Sequence, residues 1–92
     1  MGQEASIEKA LVKFAKDNGI YTRKFSSPSN AGVPDRIFVY YGRVMFLEIK
    51  AVGKRPTELQ MSELEELNDQ YIDATWVDSV ADGKVLMGNF TI

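Results

Sequence analysis

Gly32-Val33-Pro34-Asp35-Arg36, then Ile37-Phe38-Val39-Tyr40-Tyr41-Gly42-Arg43-Val44-Met45-Phe46-Leu47, then Glu48-Ile49-Lys50: this stretch decides the reading of the chain. It predicts two apolar strands folded about Gly42 and Arg43, with a carboxylate at the entrance of the first and a carboxylate and an amine near the end of the second. Strand side chains alternate with a period of two, and directly opposed residues share a face. A loop of Gly42 and Arg43 sets Asp35 opposite Lys50 and Ile37 opposite Glu48. A loop of Tyr41 and Gly42 sets Asp35 opposite Glu48. Either register places Asp35, Glu48 and Lys50 on one face, and only a bulge or a three-residue loop would shift that parity.

Two carboxylates about 5 to 8 Å apart at Cβ repel when both are ionised. A divalent cation resolves the conflict, and Mg²⁺ in particular takes hard oxygen ligands from one or two carboxylates together with water and substrate phosphate. Lys50, two residues beyond Glu48, would then lie beside the ion, placed to orient a bound water, help deprotonate it, or offset charge growing on a phosphate. The plainer alternative is a surface hairpin with a salt bridge between Lys50 and Asp35 or Glu48.

Working outward, the charge pattern favours a polyanion. Arg23, Lys24, Arg36, Arg43, Lys50, Lys54 and Arg55 face two acids between residues 23 and 55, a net of +5, whereas the rest carries four lysines against eleven acids, a net of −7. Cations crowded around the carboxylate pair suit a phosphate polyanion, and Arg23, Lys24, Arg36, Lys54 and Arg55 are the candidate phosphate contacts. With no Cys and no His, thiolate and imidazole chemistry are excluded, so catalysis rests on carboxylates, Lys, Tyr, Ser or Thr. Ninety-two residues at 45% apolar and 26% charged predict one globular domain over 1–92. Without a long apolar run or an apolar leader, no membrane partner is expected and the cytoplasm is the default compartment.

The remaining elements follow from periodicity. Ile7, Ala10, Leu11 and Phe14 predict an amphipathic helix over 4–18, stopped by Asn18-Gly19, with Glu4 or Glu8 able to point towards the site. Residues 20–25 alternate as a strand, and 26–32 are a loop of turn formers. Pro34 suits the start of a strand, and 36–41 and 44–50 are apolar on both faces, as central strands are. Thr57-Glu58-Leu59-Gln60 is a capping box opening a helix whose inward row is Gln60, Leu64, Leu67 and Tyr71. Residues 74–78 make a short strand. The tail is either a helix capped by Ser79 and interrupted by Gly83, which is slightly favoured, or a hairpin turning at Asp82-Gly83.

This order of helix, three strands, helix and strand, with Pro34-Asp35 heading the second strand and Glu48-Ile49-Lys50 on the third, resembles the PD-(D/E)XK nuclease superfamily. With Gly32-Val33 before the motif and Thr57 and Gln60 after it, the chain is similar to the stand-alone form of the VRR-Nuc (virus-type replication-repair nuclease) domain over nearly its whole length. The resemblance implies an α/β, restriction-endonuclease-like core of order α-β-β-β-α-β, a mixed sheet flanked by helices. It implies a metal-dependent endonuclease that works as a homodimer on branched DNA such as four-way (Holliday) junctions. Its site would comprise Asp35, Glu48, Lys50 and Gln60. Mg²⁺ or Mn²⁺ would be held by Asp35, Glu48 and the backbone carbonyl of Ile49, with Glu4 on the first helix matching a family glutamate and Glu8 competing for that place. Gly83 and Gly88 depart from the family's usual last helix.

Two rivals stay open on sequence grounds: a DNA-binding module, free or within a repair complex, that does not cleave, and a hydrolase of small phosphate esters. Tyr71, Ile72, Trp76, Val85, Leu86, Met87 and Phe90 form the candidate interface between two copies.

Overall fold

The reversal after Tyr40 is made by two residues, Tyr41 (φ 45°) and Gly42 (φ 84°). Two left-handed residues in succession give a tight turn whose twist matches that of the flanking strands. Tyr40 therefore faces Arg43, and Arg36 faces Leu47. Carried one residue further, that register sets Asp35 opposite Glu48, the second of the two expected pairings.

The computed structural model describes residues 2–92. Its elements are α1 (Gln3–Asp17), β1 (Tyr21–Lys24), β2 (Arg36–Tyr40), β3 (Arg43–Ile49), α2 (Glu58–Asp69), β4 (Asp73–Val77) and α3 (Val80–Phe90). The fold is α/β, with the expected α-β-β-β-α-β order followed by one more helix. The sheet runs β1-β2-β3-β4. The first three strands are antiparallel and β4 lies parallel to β3, so the sheet is mixed. β2 and β3 are central, each paired with a strand on either edge, and the apolar residues on the face turned away from the main core are half-buried, which is why their sequences are apolar at successive positions.

One face of the sheet buries Phe38, Met45, Leu47, Ile49 and Val77 with Ile7, Leu11 and Ala15 of α1 and Met87 and Phe90 of α3. On the other face α2 packs over β4, with Leu64 and Ala74 buried. The side chain of Asn68 forks onto the backbone of Ala74, its Nδ2 donating to the carbonyl at 3.1 Å and its Oδ1 accepting from the amide at 3.0 Å. That satisfies one residue of the outermost strand, where unpaired backbone invites another chain.

The tail is a helix. Ser79 caps it, its hydroxyl accepting from the amide of Asp82 at 3.1 Å. Gly83 does not interrupt it: a Cβ at this position would lie 2.5 Å from Leu11 Cδ2, so the glycine is where α1 and α3 approach most closely.

Two sequence expectations change. α2 ends at Asp69, and Tyr71 has φ 62° and is 97% exposed, so it leaves the inward row that Gln60, Leu64 and Leu67 keep. Met87 and Phe90 are buried in the chain's own core. Moving either into an interface would forgo about 2 kcal/mol of burial, which leaves Tyr71 and Val85 as the exposed members of that candidate set.

Candidate active site

Pro34 is fully buried and fixes the backbone ahead of Asp35. Asp35 Oδ2 accepts from the backbone N–H of Ile49 at 2.8 Å, which ties the head of β2 to the end of β3. Glu48, on the same face by register, is 2% exposed. Its Oε2 accepts from Gln60 Nε2 at 2.9 Å and lies 3.9 Å from Lys50 Nζ. Lys50 Nζ also donates to Gln60 Oε1 at 3.3 Å.

Gln60 is thus shared between two tasks. Its Oε1 accepts from the amide of Thr57 at 2.9 Å while Thr57 Oγ1 accepts from the amide of Gln60 at 3.2 Å, closing the capping box of α2. Because the amide oxygen is held by the cap and by Lys50, its nitrogen is aimed at Glu48. A single side chain at the first turn of α2 therefore sets the position of both the carboxylate and the amine.

The carboxylate pair is electrostatically unfavourable as it stands. Burial pushes the Glu48 pKa up to about 7, with the charge of Asp35 adding to the rise and Lys50 opposing it. Asp35 is also raised, first by burial and then by Glu8, against the pull of the Ile49 amide, Lys24 and Lys50. Glu48 Oε1 is buried with no hydrogen-bond partner. An orphaned acceptor of this kind costs about 1–3 kcal/mol, more for a charged group.

These observations fit a hard divalent cation. Among the described residues no group of three or more acidic side chains converges on one point. The side-chain donors at hand are therefore Asp35 and Glu48, a sparse set of the kind Mg²⁺ accepts when water and phosphate complete its shell. Glu4 is exposed on the first turn of α1 and reaches Glu48 through its charge alone. Glu8 is engaged elsewhere: its Oε2 accepts from Arg36 at 2.9 Å and from Lys24 at 3.3 Å.

That pairing corrects one sequence assignment. Arg36 points to the core face, its side chain is 12% exposed, and its Nε donates to Thr22 Oγ1 at 3.1 Å, so it holds Glu8 rather than standing free for phosphate. Arg43 lies at the far end of the hairpin and donates to the carbonyls of Phe90 and Ile92, at 2.8 and 2.6 Å. Of the five candidate contacts, Arg23, Lys24, Lys54 and Arg55 are exposed. Arg23 shares the face of Asp35 by register and lies over the Tyr21 ring, its guanidinium carbon 4.3 Å from the ring centre.

No family model matches the chain. A phage protein named "Putative nuclease p44", of Acyrthosiphon pisum secondary endosymbiont phage 1, is 44% identical over 62 residues, 66% of this chain and 67% of that protein. A solved structure named "VRR_NUC domain" superposes with a TM-score of 0.88 at 22% identity, covering 96% of this chain and 97% of that one. Another, "VRR_NUC domain protein", gives 0.79 at 15% identity over 97% and 88%. The chain belongs to the family of this phage nuclease and has the fold of the VRR-Nuc domains. The fold is shared over essentially its full length, which makes α3 an integral element of the domain despite its two glycines. Among the described residues no helix is long and apolar enough to cross a membrane.

The linked set of Glu8, Lys24, Arg36 and Thr22 beneath the site was not anticipated as a unit. Its signal was the opposition of Lys24 and Arg36 across β1 and β2, two like charges that require an acid between them. By sequence Glu8 reads as a solvated helix charge or as a competitor of Glu4 for the site, and not as a partner of Arg36.

Proposed function

We propose that the domain is a divalent-metal-dependent DNA endonuclease, hydrolysing phosphodiester bonds with a preference for branched DNA such as four-way junctions. The observation that carries this reading is the buried, partnerless Glu48 Oε1, on a side chain that shares the face of Asp35 by register. A protein that keeps such a group without a cation loses stability for nothing. Asp35, Glu48 and the Ile49 carbonyl would hold Mg²⁺ or Mn²⁺. When bound, the ion polarises the scissile phosphate and lowers the pKa of a coordinated water.

The chain's own groups supply the rest. Lys50, held by Gln60, presents its ammonium beside the carboxylates, where it orients the attacking water and offsets the charge added to the phosphate. Gln60 keeps Glu48 and Lys50 in register, so it is a positioning residue. Lys54, Arg55 and Arg23 grip the backbone on either side, and the exposed Lys24 joins them by giving up its 3.3 Å contact with Glu8.

A two-fold pair of domains supports the branch preference, since a closed pair sets two sites at a fixed spacing, matching two symmetric strands of a junction. Exposed Tyr71 and Val85 mark the proposed contact. The proposed working compartment is the cytoplasm of a bacterium or a phage-infected host.

Incubating the protein with linear, flapped and four-way DNA, with and without Mg²⁺ or Mn²⁺, tests the activity, and sedimentation at micromolar protein tests the pair. Metal-dependent nicking with faster cutting of the four-way DNA is expected. Tight DNA binding with no cleavage under either metal would leave a non-cleaving binding module. Equal cutting of all three DNAs by a monomer would remove the branch preference.

A further inference from the structure

Trp76 is the one tryptophan of the chain, and it is not in the core cluster. By register it lies directly beside Glu48, on the adjacent strand β4, so its ring projects from the same face as the carboxylate pair. It is half-buried. The guanidinium carbon of Arg55 sits over the ring, 5.6 Å from its centre. That is near the outer limit of about 6 Å for a cation held by an aromatic face, so the contact is loose enough to be exchanged.

The loop bearing Arg55 is anchored behind it. The amide of Gly53 donates to Asp78 Oδ2 at 3.1 Å, beyond the end of β4, and the amide of Val52 donates to Gln3 Oε1 at 3.1 Å, at the start of α1. These bonds fix the shoulders of the loop while Lys54 and Arg55 remain exposed. A large aromatic placed outside the core, beside the reacting groups and under a movable cation, has the elements of a single-strand binding surface: a stacking face with basic groups along the backbone.

We propose that Trp76 is a stacking platform for an unpaired nucleobase next to the scissile phosphate, and that Arg55 leaves the ring to meet the adjoining phosphate as the base arrives. The proposal deepens the nuclease reading and rests on it. Beyond Trp76 the surface turns acidic at Asp78 and Asp82, so the strand's phosphates are turned back towards Lys54 and Arg55 while the base lies on the ring. Fully paired linear DNA offers no free base, whereas a flap or an opened branch point does. The platform therefore gives a physical source for structure preference that needs no base-specific hydrogen bond.

Because Trp76 is the sole tryptophan, its emission reports the event directly. The experiment titrates the protein, in metal-free buffer, with DNA carrying a single-stranded flap and with a blunt duplex of equal length. Strong quenching by the flap and little by the duplex is expected. Trp76→Leu, checked for cooperative melting, should lose about tenfold in flap affinity, and Trp76→Phe should retain most of it. Equal emission changes with both DNAs, or unchanged flap affinity in folded Trp76→Leu, would overturn the proposal. Should the leucine variant not fold, the wild-type titration and the phenylalanine variant still decide it. Flap-selective quenching by a protein that cuts nothing would keep the platform and remove the nuclease reading. Metal-dependent cutting without quenching would do the reverse.

Discussion

Glu48 and Glu8 are two mostly buried carboxylates whose surroundings have opposite logic. Glu8, its side chain 18% exposed, accepts from the guanidinium of Arg36 and the ammonium of Lys24, and Thr22 in turn fixes Arg36. Glu48, its side chain 3% exposed, has a neutral amide at 2.9 Å, a lysine at 3.9 Å, a neighbouring acid, and one oxygen with nothing. A carboxylate that serves the fold is neutralised from within the chain. Glu48 is left short of positive charge, and under the proposed function an external cation would complete it. The two sites are also linked, since Glu8 raises the pKa of Asp35 while Lys24 lowers it.

The most severe way to break this contrast is to remove the unsatisfied acids. Asp35→Asn or Glu48→Gln should lower metal-dependent cleavage by about 10³-fold or more while leaving DNA affinity nearly unchanged, as loss of a metal ligand predicts. Full activity in either variant would end the catalytic assignment, and single-turnover assays with a parallel binding titration read both quantities.

The pH dependence of stability separates the two acids without any substrate. Glu48 binds its proton more tightly in the folded state than in the unfolded one, with its pKa raised from 4.5 to about 7. Between those values the folded protein carries the extra proton, so stability is greatest below pH 4.5 as far as this group is concerned, and is lost as pH rises through 7. The ceiling is about 3 kcal/mol at 1.36 kcal/mol per unit, and Asp35 acts in the same direction. Melting of the metal-free protein should therefore drop between pH 5 and 8, with either saturating Mn²⁺ or Glu48→Gln flattening the profile. A metal-free protein whose Tm does not fall over that range would contradict the account of Glu48.

Lys50→Ala should lower the rate by about 10²-fold with little change in metal affinity, because an ammonium is not a ligand. A calorimetric metal titration that collapsed in this variant would reassign Lys50 to building the metal site. By contrast, Arg36→Ala should act on the fold: it strips the closest counter-charge from Glu8, at a cost of about 2 kcal/mol, discounted from the fully buried case because Glu8 keeps Lys24 and some solvent. Chemical denaturation reads this, and a loss below about 0.5 kcal/mol would make the Glu8 pair ornamental.

Much of the site was legible because strand parity and the capping box are local rules. Pro34-Asp35, Glu48-x-Lys50 and Thr57-x-x-Gln60 each fix a side-chain direction from nearest neighbours, and the fold had only to bring them together. The choice between registers was harder to read, because it turned on whether Tyr41 would adopt a left-handed conformation, which most residues resist. The fates of Arg36, Arg43 and Gly83 were not legible at all. Each depends on a contact more than twenty residues away, with Glu8, the C-terminal carbonyls and Leu11. Cations counted along a sequence look equivalent until the fold assigns them partners.

That last point gives the smallest and sharpest test of the contrast. Net charge treats Arg36 and Lys54 alike, yet Arg36 is spent on Glu8 at 2.9 Å while Lys54 is exposed on the loop beside the site. If affinity for DNA comes from phosphate contacts, each cation that touches the backbone contributes about one unit to the slope of log affinity against log salt, through the counterions it releases. Lys54→Ala should flatten that slope by about one and weaken binding similarly across DNA sequences. Arg36→Gln, which keeps a hydrogen-bond donor towards Glu8, should leave the slope unchanged even where it lowers the melting temperature. The two variants remove the same formal charge, so any long-range field effect acts on both and cancels in the comparison. A slope that moved equally in both would mean that DNA senses the domain's overall charge, and that the division between cations serving the fold and cations serving the substrate has no bearing on binding.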